Sequence, residues 1–162
     1  MKKCRFCGED LDSSYQRRGF CDECYSLLLE TPERFKSEVL DYIEVPMMVI
    51  NVDDTTIRTA NDKLLKFVEK SLDQVTGFLG GDVIECIHAK EDGGCGGTIF
   101  CNDCPIRNLI NKTIKTKEDQ KHKTLIQSIK KNGDIIKIEL EVSTKLKNDV
   151  VFLQIENYKT LL

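Results

Sequence analysis

The chain has 162 residues, 40% of them hydrophobic and 31% charged, with a net charge of -3. That balance suits one ordinary globular domain plus at most a small metal-held module, and it excludes a disordered chain. It gives no support to a dedicated nucleic-acid binder, which carries a positive excess, and the longest apolar run, Val45 to Ile50, is far short of the roughly 20 residues of a spanning helix.

Lys2 and Lys3 are followed by no apolar stretch, so the N-terminus does not read as a signal peptide and a cytoplasmic location is expected. Eight cysteines dominate the sequence, with C-x-x-C spacing at Cys4/Cys7, Cys21/Cys24 and Cys101/Cys104. In a cytoplasmic protein such pairs favour metal or redox chemistry over structural disulfides. Residues 25 to 85 hold no cysteine, so two sets emerge: Cys4, Cys7, Cys21 and Cys24, then Cys86, Cys95, Cys101 and Cys104.

Residues 1–30 read as a zinc ribbon. Two C-x-x-C knuckles supply four thiolates, the number tetrahedral zinc takes, and Gly8 suits the tight turn after the first pair. The apolar residues here are few (Phe6, Leu11, Tyr15, Phe20), so the metal must supply folding energy. Without metal the segment would be a labile thiol tail. Cys21 and Cys24 run straight into Tyr25 to Leu29, which places them at a helix N-terminus, where the dipole favours thiolate. This stretch resembles a treble-clef ribbon. Five basic residues (Lys2, Lys3, Arg5, Arg17, Arg18) balance five acidic ones (Glu9, Asp10, Asp12, Asp22, Glu23), which favours a structural or protein-docking surface over one that grips phosphate.

Residues 31–45 read as a helical linker opened by Thr31-Pro32-Glu33. Phe35, Val39, Leu40, Tyr42 and Ile43 form one apolar stripe, which packs either on its own domain or on a second copy in a homodimer. Residues 46–60 read as a hairpin: a strand over Met47 to Val52, a turn at Asp53-Asp54, and a β-branched return over Thr55 to Thr59. Asn61 or Asp62 caps a helix holding Leu64, Leu65, Phe67 and Val68. A short helical turn is expected over 82–88, a glycine-rich loop over 89–104, and a helix from Pro105 to Thr116. Three strands follow, over 122–130, 136–146 and 151–155, with turns at Asn132-Gly133 and Lys147-Asn148-Asp149.

Two strands, short helices, a longer helix and three strands are the element order of a PAS domain. The stretch from Leu40 to Asn51 resembles the PAS lead-in helix and first strand, and Thr59-Ala60-Asn61-Asp62-Lys63-Leu64 resembles the second-strand-to-helix step. The resemblance implies an α+β fold, a five-stranded antiparallel sheet with helices on one face, over 46–162, with a cysteine-rich insertion at 86–104. It also implies a sensory or pairing role, with any cofactor between sheet and helices.

That region holds the second cysteine set. Gly93, Gly94, Gly96 and Gly97 let the backbone fold tightly round a centre. The stretch resembles cysteine-bearing PAS domains of bacterial redox and oxygen sensors, some with iron–sulfur clusters, and Cys104-Pro105 resembles the ending of a ferredoxin motif. Three readings stand: a [4Fe–4S] cluster on Cys86, Cys95, Cys101 and Cys104; structural zinc, with or without His88 in place of a cysteine; and a metal-free thiol switch.

No phosphate loop and no C-x-x-C-H haem motif occur, and Cys86 with His88 suits ligation better than catalysis, so no enzyme is expected. His122, between Lys121 and Lys123, reads as a solvated strand end, and the lysines from Lys112 to Lys131 as a solvated face. The expected function is cytoplasmic sensing with a homodimer or signalling partner and no membrane. The alternative is an adaptor with two structural zincs that docks protein or nucleic acid. The chain ends soon after its last strand, so output is expected to pass to a partner, a second copy or a domain beyond this sequence.

Overall fold

A computed structural model describes residues 2–4, 7–12, 19–29 and 40–161, and for 26–29 the backbone alone. The expectations for Phe6, Tyr15, Arg17, Arg18 and the start of the linker helix lie outside the described residues.

A five-stranded antiparallel sheet forms the centre. In chain order its strands are β1 (Met47–Asn51), β2 (Ile57–Ala60), β3 (Gln120–Lys131), β4 (Asp134–Lys147) and β5 (Val150–Leu161). Their spatial order is β2-β1-β5-β4-β3, so the first and last strands pair at the centre. Asn132 and Gly133 both take positive φ in the β3–β4 turn, as a two-residue hairpin of primed type demands. The fifth strand runs well past the alternating segment read from sequence. A bulge at Glu141/Val142 shifts its register, and Asn157 to Thr160 are exposed, so the ladder with β4 continues where the apolar alternation has ended.

The helices are α1 (Asp22–Leu29), α2 (Asp62–Val68), a single turn α3 (Gly80–Val83) and α4 (Pro105–Thr116). Asn61 is the cap of α2, and it does more than end a helix. Its Oδ1 accepts the Leu64 N–H and the Met47 N–H, each at 3.0 Å. Its amide nitrogen donates to the carbonyls of Leu40, Ile43 and Val45. One fully buried side chain therefore ties β1, α2 and the lead-in segment together. The turn expected over 82–88 starts at Gly80, and the 3-10 turn Ile99–Asp103 lies inside the stretch read as loop.

The two faces of the sheet carry separate cores. On one face Met48, Ile50, Leu140, Val142, Val151 and Leu153 pack against Leu64, Val83, Leu109 and Ile110 of the helices. On the other face Met47, Val49, Val150 and Phe152 are covered by Leu11, Phe20, Cys24 and Tyr25 of the N-terminal cysteine segment, with Leu40, Ile43 and Val45. The strand period of two makes this possible, because alternate residues of β1 and β5 point to opposite faces. Leu40 and Ile43 of the apolar stripe are thus buried within the chain, whereas Tyr42 is exposed. No helix among the described residues is long and apolar enough to cross a membrane.

Candidate functional site

The N-terminal four cysteines converge. The Sγ atoms of Cys4, Cys7, Cys21 and Cys24 all lie within 4.8 Å of one another. A tetrahedral ion with Zn–S bonds of about 2.3 Å sets its sulfurs about 3.8 Å apart, and the Cys7 and Cys21 sulfurs stand at 3.8 Å. The local chain explains the convergence. The Gly8 N–H donates to the Cys4 carbonyl and the Cys4 N–H to Glu9, closing the first knuckle. Cys21 immediately precedes α1, and Cys24 sits in its first turn. The Cys21 N–H donates to the Cys4 sulfur at 3.4 Å, the kind of outer contact that orients a thiolate ligand.

Burial and the three neighbouring thiols push the Cys24 thiol far above its ordinary range. A cation among the four sulfurs offsets that cost, and four sulfurs within 4.8 Å of one another fit a divalent, thiophilic ion such as zinc.

The second set is built differently. Cys86, Cys95, Cys101 and Cys104 line one cavity of about 270 Å³ between the sheet and α4, together with His88, Phe100, Ile106, Ile110 and Gln127. Among the described residues, the N-terminal four are the one group of three or more ligating side chains within single-ion distance. The second set therefore surrounds a space without closing on one point.

Each of its sulfurs is positioned by a different element. Residues 85–87 run beside β3: Lys130 N–H donates to Glu85 O at 2.8 Å, and Cys86 bridges Ile129. This brings Cys86 to Gln127, whose Nε2 donates to the Cys86 sulfur at 3.3 Å while its Oε1 stands 4.0 Å from the Cys104 sulfur. Cys95 lies over α3, and only glycine fits beneath it: a Cβ on Gly81 would be 2.5 Å from the Cys95 sulfur. Cys101 sits in the 3-10 turn, its sulfur accepting the Gly96 N–H at 3.1 Å and lying 3.3 Å from the Thr98 hydroxyl. Cys104 is the residue from which α4 starts, with Pro105 at the first helical position.

The electrostatics of the cavity are uneven. Burial opposes the Cys101 thiolate, but Thr98, the Gly96 N–H and the charge of Arg107 outweigh it and hold that thiol below its usual range. Burial pushes the Cys86 thiol up, and the charges of Cys104, Cys95 and Cys101 add to the rise. His88 stacks on Phe100 with ring centroids 4.1 Å apart, and its Nδ1 stands 2.8 Å from Glu91 Oε1. It belongs to the cavity wall and not to any single-ion group among the described residues.

The donor set suits a cluster on the grounds of its own chemistry. Thiolates on a cluster stand on separate irons, so they sit farther apart than thiolates that share one ion. Amide N–H···S bonds and a nearby guanidinium offset their negative charge. The sequence reading named the four cysteines, but not Gln127, Thr98, Arg107 or Gly81. Gln127 sits in an ordinary strand pattern, and only the fold turns it toward two cysteines.

His122 lies in β3 at the bulge between Gln120 and Lys123, exposed, with Nδ1 2.6 Å from Glu141 Oε1. It is paired across the ladder and stands apart from both cysteine sets.

No family model matches the sequence, and no curated protein matches it. Solved structures do resemble the fold. The LOV protein of Rhodobacter sphaeroides superposes with a TM-score of 0.52 at 11% identity, over 87% of this chain and 69% of that one. The d2 variant of the same protein gives 0.51 at 13% identity, over 88% of this chain and 69% of the other. A PAS domain from Desulfitobacterium hafniense gives 0.44 at 16% identity, over 77% of this chain and 100% of its own. The fold is that of the PAS/LOV domains, as the element order implied.

Proposed function

We propose that this chain is a sensory signal-transduction module whose signal is received at Cys86, Cys95, Cys101 and Cys104, with a [4Fe–4S] cluster as the group held there. One observation carries the reading: four cysteines from four local structures line a single cavity between the sheet and α4. Zinc at the N-terminal set is structural in this reading. When bound, the cluster supplies one-electron redox chemistry and sensitivity to oxidants.

The chain's own residues do the rest. Gln127, Gly96 and Thr98 orient and stabilise the thiolates. Phe100, Ile106 and Ile110 supply an apolar part of the cavity wall around them. Cys104 starts α4, so a change in what holds it pulls on that helix. The Thr113 hydroxyl, fully buried, meets the Thr144 hydroxyl of β4 at 2.6 Å and carries the displacement to the sheet. Output then passes to a signalling partner or a second copy, without catalysis. Cysteines held for metal ligation fit a reducing, cytoplasmic setting.

The test is anaerobic purification followed by metal analysis and visible spectroscopy. The expected result is about four irons per chain, with broad visible absorption that fades in air and is lost in Cys101→Ser. A colourless, iron-free protein that stays so after anaerobic reconstitution with iron and sulfide would refute the proposal.

A further inference from the structure

The N-terminal set is asymmetric in a way that the metal geometry does not require. Cys4 and Cys24 are 3% and 5% exposed and belong to the apolar cluster that includes Met47, Val49, Val150 and Phe152 of the sheet. Cys7 is exposed and Cys21 is half-buried. The two more accessible sulfurs come from different knuckles and stand 3.8 Å apart.

We propose that Cys7 and Cys21 form an oxidative modification site, converted by a hydroperoxide to a disulfide across the two knuckles, with release of the metal. The electron balance is complete. The Cys7 thiolate attacks the peroxide oxygen, the O–O bond breaks, and the leaving group (hydroxide from hydrogen peroxide, alkoxide from an organic hydroperoxide) takes a proton to become water or an alcohol. The Cys21 thiolate then attacks the resulting sulfenic sulfur, the S–S bond forms, and hydroxide leaves as water after taking a second proton. Two sulfurs give two electrons to one peroxide.

The sulfurs must close from 3.8 Å to about 2.05 Å. Cys7 is exposed and Cys21 only partly buried against the apolar cluster, so the movement leaves the buried Cys4 and Cys24 in place. The sequence pattern would suggest disulfides inside each C-x-x-C, but both of those need a buried partner, Cys4 or Cys24, to leave the apolar cluster. With Cys7 and Cys21 gone, two thiolates remain, too few to hold a tetrahedral ion. The consequence reaches the sheet. Tyr25 follows Cys24 directly, and its hydroxyl donates to Gln154 Oε1 of β5 at 2.6 Å beneath the cysteine segment. Release of the metal therefore loosens the cover over the sheet's second face. The site shares no residue with the second cysteine set, so its failure would leave the proposed function untouched.

The experiment uses the full chain loaded with zinc. It is treated with stepwise hydrogen peroxide, free zinc is followed with a chromogenic chelator, and disulfides are mapped by mass spectrometry without reduction. One zinc released per Cys7–Cys21 disulfide, with Cys4 and Cys24 still free, alkylatable thiols, is the expected result. Pairing within Cys4/Cys7 or Cys21/Cys24, or zinc release without a Cys7–Cys21 link, would overturn it. Since Cys7→Ser could lose its metal outright, alkylation of the untreated protein is the second measurement. Cys7 should label at least tenfold faster than Cys4 and Cys24, and equal rates would overturn the proposal as well.

Discussion

Gly81→Ala separates the second cysteine site from the stability of the fold. The added Cβ would stand 2.5 Å from the Cys95 sulfur, 3.1 Å from its Cβ and 3.5 Å from the Cys86 Cβ. Ordinary contacts need about 3.5–4.0 Å, so Cys95 must move by roughly 1 Å. Metal ligands tolerate only about 0.2 Å, so under the proposed cluster reading a displacement several times larger would remove Cys95 as a ligand. The stability cost is far smaller. Overpacking costs about 1–3 kcal/mol, and replacing glycine in helical α3 returns up to about 1 kcal/mol. The net of about 0–3 kcal/mol lowers Tm by no more than about 12 °C for a chain this size. Gly80→Ala is the matched control, since nothing lies within 4 Å of its added Cβ. Anaerobically purified Gly81→Ala should melt cooperatively yet hold well under half the iron of Gly80→Ala. Equal iron and identical visible spectra in the two folded variants would show that Cys95 is not held against α3 as a ligand.

Two further outcomes follow from particular contacts. Asn61→Ala removes a cap and takes a partner from the Met47 N–H and from the Ile43 and Val45 carbonyls, while the Leu40 carbonyl keeps the Ile43 N–H, so denaturant unfolding should register a loss of about 3–5 kcal/mol; a loss below about 1 kcal/mol would contradict the hub role. Glu85 is held below the usual carboxylate range, chiefly by its bond with Lys70 at 2.8 Å, against a smaller opposing effect of burial. A depressed folded pKa contributes stability above the unfolded value of about 4.3 and loses it as pH falls through the folded value. Glu85→Gln should therefore be less stable than the parent at pH 7, with a small deficit because the side chain is 41% exposed. The deficit should begin to shrink as melts are taken below about pH 4.3 and vanish only below the lowered folded value, and a deficit that grows on acidification would refute the ion-pair account.

Much of the fold was legible because it rests on short-range rules. The alternation in Ile136 to Leu146 marks a half-buried strand, Asn132-Gly133 supplies the positive φ of a primed turn, and Pro105 opens a helix. Asn61 was legible as a cap for the same reason, but its bonds to Leu40, Ile43 and Val45 were not. Those partners are 16 to 21 residues away in sequence, and a side-chain hub leaves no local period. The end of β5 was missed because Asn157 to Thr160 face solvent on a strand that keeps its ladder, so hydrophobicity no longer reports the backbone.

For the cysteines, sequence and tertiary structure divided the work. Spacing alone assigned Cys4, Cys7, Cys21 and Cys24 to one centre, because two C-x-x-C knuckles are a local geometry that one tetrahedral ion completes. Spacing also grouped Cys86, Cys95, Cys101 and Cys104, but it could not choose among their chemistries. That choice depends on distances between sulfurs carried by an edge segment, a glycine loop, a 3-10 turn and a helix start, which only the packed sheet and α4 bring round one cavity. Packing alone, too, laid the N-terminal segment across Phe152 and Val49, burying Cys4 and Cys24 and leaving Cys7 in water. A C-x-x-C motif treats its two cysteines as equivalents, and burial against the sheet makes them different.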